Sequence, residues 1–236
     1  MTPGMRSVVA GLTARWNQQE LITNNISGAN SVGHKRQVAA FGTFDQELKG
    51  AQSDSLSYAM PPSFDMVDGA IQKTGSTMDG AISGHGFFTI QTASGEKLTR
   101  NGHFQRNKDN MLTDASGHLV LGENGPIKLP TGKVELTSTG AVEVKGKVVD
   151  RLKIVDVPTS QLQSDGGSIF SVAPGIKPQP LKNVSVTAGV LEGSNVNLPH
   201  EMTAMIQNQR MYDMLTKVFQ AQDDNQQRAI QDLSAM

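Results

Sequence analysis

The sequence predicts an α+β protein in which helices at the two chain ends pack together in a coiled-coil-like manner and an all-β domain lies between them. The distribution of glycine and proline is the first observation behind this prediction. Of the 24 glycines, 18 lie between Gly69 and Gly193 and none follows, and none of the ten prolines lies between Gly4 and Met60 or after Pro199. The chain ends therefore lack the strongest helix breakers, whereas the middle is rich in turn-forming residues.

The N-terminal segment predicts a helix from about Met5 to Ile26. Its apolar residues recur at intervals of three and four, and Trp16 lies beside this line. The line consists of Met5, Val8, Leu12, Ile22 and Ile26. Turn-forming residues at 27–33 are expected to end the helix.

The C-terminal segment predicts one long helix from about Pro199 to Leu233, because proline suits a first turn and Glu201 places negative charge at the favourable end. At 1.5 Å per residue this helix would be about 50 Å long. Two apolar seams are expected on it, the first with Met202, Met205, Tyr212, Phe219, Ile230 and Leu233, the second with Met211, Leu215 and Val218. Two seams on so long a helix indicate packing against more than one neighbour.

Uncharged amide side chains are frequent on both predicted helices. They include Asn17, Gln18, Asn24 and Asn25 at one end, and Gln207, Asn208, Gln209, Gln220, Gln222, Asn225, Gln226, Gln227 and Gln231 at the other. Because a free helix face normally carries charge, these amides favour a polar interface with little water. A merely polar exterior is the alternative.

Between the helices, short strand-like runs alternate with turns at intervals of about 8–12 residues, which is typical of an all-β domain. The runs are 87–91, 97–99, 119–121, 134–136, 142–144 and 152–155. The predicted organisation has an N-terminal helix at 1–30, a less regular connector at 31–68, a β-rich domain at 69–188, and a return segment with the C-terminal helix at 189–236.

Charge and composition argue against several classes of function. The chain has 21 Lys and Arg against 22 Asp and Glu and no basic run, so no nucleic-acid partner is expected. No apolar run approaches the roughly 20 residues that cross a bilayer, so no membrane insertion is expected. The absence of cysteine excludes disulfides and thiolate zinc sites. The stretch after Arg6 lacks a convincing signal-peptide core, so any export is expected to proceed without a cleaved signal.

The sequence contains no recognisable catalytic or ligand-binding pattern. It has no Walker-type phosphate loop, no Gly-x-Ser-x-Gly elbow, and five histidines without the spacing that places two imidazoles on one metal. The glycines of Gly84-His85-Gly86 precede a strand and predict a tight turn. We expect no catalytic residue, no cofactor and no metal, and hence no enzyme. A secreted cell-wall hydrolase and an extracellular binding module are the alternatives from other classes.

Motifs at both chain ends and in the middle carry a resemblance. The N-terminal motif is TNNISGANSVGHKR at 23–36, and the C-terminal one is GVLEGSNV at 189–196, followed by EMTAMI and QRMY. The middle contributes GHGFF at 84–88, LTRNGHF at 98–104 and LGENGPI at 121–127. In content and order these blocks resemble those of the bacterial flagellar rod and hook proteins, except that Ser31 and His34 replace a usual threonine and a usual aromatic residue.

The resemblance implies a structural subunit of the flagellar basal-body rod. Its two helices would pack together, copies would stack helically into a hollow drive shaft that transmits torque from motor to hook, and the β domain would lie outside. Gly193 and residues 51–62 and 151–155 are most like the proximal rod protein with a β domain, and the distal rod protein is the alternative. The expected interface residues are Met5, Leu12, Trp16, Ile22, Asn24, Asn25, Ile26, Met202, Met205, Ile206, Gln209, Met211, Tyr212, Leu215, Val218 and Phe219.

The resemblance also implies partners and a location. The expected partners are copies of the chain itself, the inner proximal rod and distal rod subunits, and the flagellar type III export apparatus. The expected location is the basal-body rod in the periplasmic space of a Gram-negative cell. Phe44-Asp45-Gln46-Glu47-Leu48 fits an export-gate motif of the Phe-x-x-x-hydrophobic type, in which Phe44 and Leu48 are the defining residues.

Overall fold

The computed structural model describes residues 3–39, 62–181 and 184–234. The described chain begins with helix α1 (Pro3–Gly28) and ends with helix α2 (Leu198–Ser234). Both helices extend the predicted ranges by one or two residues, and Pro3 suits a first turn because its missing N–H has no helical partner there. Among the described residues, no helix is both long and apolar enough to span a membrane.

The strands between the helices are short. In chain order they are β1 (Gln37–Val38), β2 (Ser63–Phe64), β3 (Ile71–Lys73), β4 (Gly80–Ser83), β5 (Phe87–Thr92), β6 (Gly95–Thr99), β7 (Phe104–Arg106), β8 (Leu112–Asp114), β9 (Leu119–Gly122), β10 (Gly125–Pro126), β11 (Val134–Leu136), β12 (Ala141–Val144), β13 (Lys147–Arg151), β14 (Ile154–Asp156), β15 (Leu162–Gly166), β16 (Ile169–Val172), β17 (Gln179–Pro180), β18 (Ser185–Ala188) and β19 (Val190–Glu192). The α+β class is confirmed, and each predicted strand-like run contains or overlaps one of these strands.

The chain forms two compact units. The first, called the helical unit here, comprises 1–26, 37–62 and 197–236, and contains most of α1 and all of α2. The second, the β unit, comprises 27–36 and 63–196. The predicted domain boundaries at 30, 68 and 188 stay a prediction.

The β unit is built on antiparallel strands. Its main sheet has the order β15-β16-β6-β5-β9-β8-β7, with β10 beside β9, β14 beside β5, and β17 beside β14. A three-stranded sheet, β11-β12-β13, and the pairs β4-β18 and β3-β19 complete the strand pairing. Gly84 and Gly86 have φ values of 88° and 117°, which agrees with the turn predicted ahead of β5.

Two clusters of buried apolar side chains form the core of the β unit. In the larger cluster Phe88 and Phe104 meet edge to face with centroids 5.1 Å apart. In the smaller one Phe170 lies 5.0 Å from Phe64 and 5.4 Å from Phe87. Full burial of one such ring contributes about 1.5–3 kcal/mol, so these contacts hold the short strands together.

Candidate assembly interface

Helices α1 and α2 run antiparallel within the helical unit and meet at three levels. Near one end, the side chain of Leu215 lies against the backbone at Gly11. In the middle, Asn208 Nδ2 donates to the Arg15 carbonyl oxygen at 3.0 Å and to Gln19 Oε1 at 2.9 Å. Near the other end, Asn25 Nδ2 lies 3.4 Å from Glu201 Oε2.

Buried and half-buried residues recur every three or four positions along one face of α2. They are Glu201, Ala204, Asn208, Tyr212, Leu215, Phe219, Gln222 and Gln226, all buried or half-buried. This grouping corrects the two predicted seams, because Tyr212 and Phe219 from the first and Leu215 from the second lie on one packed face. Met202, Met205, Met211 and Val218 are exposed instead. The packed face includes buried polar residues, which an apolar spacing pattern passes over.

Asn25 connects α1 to the chain that follows it. Its Nδ2 donates to the Gln37 carbonyl oxygen at 2.8 Å, and the Gln37 N–H donates to Asn25 Oδ1 at 2.7 Å. The side chain thus satisfies a backbone donor and acceptor at once, and it is 2% exposed. Asn24 is exposed on the helix surface.

A small cavity of about 240 Å³ opens between the two helices. It is lined by Arg15, Trp16, Gln19, Asn208, Gln209 and Tyr212, and we call it the notch. Trp16 stands beside it with 67% of its surface exposed. Asn208 Oδ1 is buried at the notch without a hydrogen-bond partner among the described residues.

Large apolar side chains are exposed along both helices. Face 1 consists of Val9, Trp16, Met202, Met205 and Ile206, and face 2 of Met211, Met214 and Val218. Sequence reasoning missed Val9 and Met214, although Val9 precedes Trp16 by seven residues and Met214 lies between Met211 and Val218 at helical spacing. Apolar side chains that are exposed on one side of a helix are candidates for an interaction surface.

Of the remaining predicted interface residues, some are buried or half-buried and others are exposed. Met5 and Ile22 are buried, Leu12 and Ile26 are half-buried on α1, and Gln209 is exposed at the notch. Phe44 and Leu48 lie outside the described residues. The assignment of these side chains to contacts between subunits stays a prediction.

The β unit contains a buried ionic cluster that sequence reasoning did not assemble. Glu192 Oε1 accepts from Lys35 Nζ at 2.6 Å and from the Gly69 N–H at 3.0 Å, and Arg100 Nη1 lies 3.4 Å from Glu192 Oε2. All three charged residues are 1% exposed. Burial lowers the pKa of the Arg100 guanidinium from its ordinary value, and attraction by the Glu192 carboxylate acts in the opposite direction.

The cluster joins segments that are far apart in sequence. Lys35 Nζ also donates to the Val67 carbonyl oxygen at 2.9 Å, and Arg100 Nη2 donates to the Gly84 carbonyl oxygen at 2.6 Å. The Arg100 guanidinium carbon lies 5.3 Å from the centroid of the Phe87 ring. The turn after α1, the strand region around β6 and the end of β19 are thereby fixed to one another within the β unit.

His34 occupies the position where the resembling family has an aromatic residue. The ring is buried, and its Nδ1 lies 3.0 Å from the Gly167 carbonyl oxygen, which only accepts, so Nδ1 carries the proton of this bond. A side chain at Gly28 would collide with this ring. The position of the His34 ring therefore leaves room only for glycine at position 28.

Two histidines of the β unit pair with aspartates. His103 Nδ1 lies 2.8 Å from Asp79 Oδ1, and His118 Nδ1 lies 2.8 Å from Asp114 Oδ2. In the described parts of the chain, no group of three or more His, Cys, Asp or Glu side chains is arranged to hold a metal ion.

Comparison with known proteins gives two family models and several relatives. Residues 187–232 match the model described as flagellar basal body rod FlgEFG protein C-terminal, and residues 81–149 match flagellar hook protein FlgE/F/G D1 domain. The chain is 33% identical to the flagellar basal-body rod protein FlgF of Escherichia coli (strain K12), over 92% of this chain and 93% of the relative. It is 31% identical to FlgF of Salmonella typhimurium (strain LT2), over the same shares of the two chains. It is 28% identical to the flagellar basal-body rod protein FlgG of Agrobacterium fabrum (strain C58), over 91% of this chain and 93% of the relative. The chain therefore belongs to the family of flagellar basal-body rod proteins.

Proposed function

We propose that the chain is a structural subunit of the flagellar basal-body rod, whose copies assemble helically through α1 and α2 into a hollow shaft that transmits torque. The observation that carries this proposal is the exposure of eight large apolar side chains among the described residues of the helix pair, all of them on faces 1 and 2. Such surface is costly to leave in water and is covered when a neighbouring helix packs on it. Torque transmission requires interfaces and no chemical turnover, so a rod subunit needs no catalytic group.

We further infer that α1 and α2 pack in a coiled-coil-like manner. The residues of the packed α2 face recur at three- and four-residue intervals from Glu201 to Gln226, which is the repeat expected of such a seam. A buried asparagine at a seam position, here Asn208, fixes the register of two helices at a cost in stability. Fixed register would make each subunit a rigid building block of the shaft.

The proximal part of the rod is the proposed position. The motif residue Gly193 and the segment 151–155, which contains the end of β13 and leads into β14, support it. The relatives carry two names. Identity reaches 31–33% to three relatives named FlgF, whereas two others named FlgF match at 28%, as the FlgG protein of Agrobacterium fabrum does. The distal rod is the second candidate, because relatives named FlgG also match over nearly the whole chain at 28–29% identity.

The proposed partners follow from this position. They are further copies of the chain, the inner proximal rod and distal rod subunits, and the type III export apparatus that would deliver the chain. The proposed location is the basal body, within its periplasmic portion.

Quantitative mass spectrometry of purified intact hook–basal bodies tests the proposal. The chain is expected at a few copies per particle if it occupies the proximal rod, and a substantially larger number would assign it to the distal rod. Its complete absence from intact particles would overturn the rod function.

A further inference from the structure

The chain passes between the helical unit and the β unit four times. The parts of the β unit next to these crossings include residues 33–36, 65–70 and 192–195. These three segments form hydrogen bonds with one another inside the β unit, and we call their common contact the clasp. Every crossing of the chain into or out of the β unit therefore lies close in sequence to the clasp.

Asn195 joins the three segments through a single amide. Its Oδ1 accepts from the Arg36 N–H at 2.7 Å. Its Nδ2 donates to the Asp65 carbonyl oxygen at 2.8 Å and to the Val67 carbonyl oxygen at 3.0 Å. These partners lie 128–159 positions away along the chain, so the three bonds close long loops.

Glu192 supplies the second set of contacts in the clasp. Its carbonyl oxygen accepts from the Gly33 N–H at 2.8 Å. Its carboxylate contacts Lys35 Nζ at 2.6 Å and the Gly69 N–H at 3.0 Å. A side chain at Gly69 would collide with the Gly193 carbonyl oxygen, so the two backbones approach as closely as glycine allows.

The clasp lies where a force applied to the two ends of the β unit would act first. A pull on residues 30 and 197 reaches segment 33–36 from one side and segment 192–195 from the other. Because these segments are bonded directly to each other, the chain between them carries no tension until the clasp opens. Most strands in the described part of the unit are only two to four residues long, so each one has few hydrogen bonds to resist a direct pull.

We propose that the clasp carries the force between the two ends of the β unit and thereby keeps tension off its short strands. The side chains that hold it in position are Asn195 and Glu192. This inference rests on the proposed rod function, because rotation of the rod would supply the force. The contacts themselves lie within one compact unit of one chain.

Single-molecule force spectroscopy of the full-length chain tests the proposal, since the natural chain contains no cysteine and introduced cysteines give unique attachment points. The end pair, Asn30→Cys with Asn197→Cys, pulls on the clasp. The side pair, Glu123→Cys with Lys147→Cys, pulls on a stretch of chain without a clasp residue. All four positions are exposed. The time to opening of the β unit is measured at constant force.

Asn195→Ala is the test variant, and Asn107→Ala is its matched control. Asn107 is also half-buried, but its Oδ1 accepts from the N–H groups of Asp109 and Met111 in its own turn. Along the end pair, Asn195→Ala is expected to shorten the time to opening at least about tenfold, because three hydrogen bonds are lost. Asn107→Ala is expected to leave that time unchanged. Along the side pair, Asn195→Ala is expected to have no effect.

Equal shortening along both pairs would show that Asn195 only adds general stability, and it would overturn the proposal. An unaltered time to opening along the end pair would overturn it too. If circular dichroism shows that Asn195→Ala does not fold, Asn195→Ser takes its place, with a shortening of at least several-fold expected along the end pair alone. The rod function fails separately, through absence of the chain from intact hook–basal bodies, so the two failures are distinguished.

Discussion

Replacement of Glu192 by glutamine is expected to destabilise the β unit strongly. The carboxylate is buried against two cations, Lys35 at 2.6 Å and Arg100 at 3.4 Å, and both cations are themselves buried. Glutamine has nearly the same shape but no charge, so both cations would lose the carboxylate that contacts them. Breaking a buried ion pair by removal of one partner costs about 3–5 kcal/mol, a large share of the roughly 5–15 kcal/mol that keeps a domain folded.

The assay has to measure the stability of the β unit alone, because the two compact units of the chain can unfold in separate transitions. The single tryptophan lies on α1 and reports on the helical unit. Amide hydrogen exchange of the strands that line the core of the β unit gives the local free energy of opening directly. With about 2–4 °C per kcal/mol, the thermal midpoint of this unit should fall by roughly 6–20 °C.

Two further substitutions make the Glu192 prediction specific. Glu96→Gln is the matched control, since the exposed ion pair of Glu96 with Lys153 at 2.8 Å should contribute less than about 1 kcal/mol. Lys35→Met should cost less than Glu192→Gln, because Arg100 still neutralises the carboxylate. Unchanged protection in Glu192→Gln, or a greater loss in Lys35→Met, would refute the account of two cations that share one carboxylate.

Three smaller effects are expected elsewhere. Gly28→Ala should lower the free energy of unfolding by about 1–3 kcal/mol, and with it the melting temperature, because the new methyl group collides with the His34 ring. An unaltered circular dichroism melt would contradict this. Asn25→Ala should speed amide exchange at Gln37 by an amount equivalent to about 1–3 kcal/mol, since the Gln37 N–H and carbonyl oxygen lose their partners. Asn208→Leu should change the stability of the helical unit by less than about 2 kcal/mol, because removal of a buried oxygen without a partner offsets the loss of the hydrogen bonds to Arg15 and Gln19; a larger loss in a thermal melt would count against this.

The sequence was sufficient for the parts of the fold that depend on local chemistry. The turn-forming residues at 27–33 predict the end of α1, and Pro199 predicts the start of α2. Strands such as β5 and β11 follow from β-branched and aromatic runs between turns. The direction in which each helix packs was not predictable in the same way. Apolar spacing identifies candidate faces, but it does not distinguish a face that meets the same chain from one that stays exposed.

The buried cluster illustrates the second limit of sequence reasoning. Lys35 and Glu192 are 157 positions apart, and Arg100 and Glu192 are 92 apart, so no local period connects them. Each appeared in a family motif as a separate residue. Their common role follows only when the turn after α1 and the strand pair of β3 with β19 are brought together by the fold.

The composition of the packed seam supports the proposed assembly through the helical unit. Its α2 face buries Glu201 and Asn208 and half-buries Gln222 and Gln226, so it gains less from apolar burial than a seam of leucines would. The most exposed large apolar residues of the same helices, Trp16, Met202 and Ile206, lie outside that seam. A long amphipathic helix gains most of its stability from tertiary packing, so the proposed contacts with neighbouring subunits would supply burial that is absent within one chain. The polar seam therefore fixes how α1 and α2 align, and the exposed side chains outside it form the surface that we propose packs against neighbouring subunits.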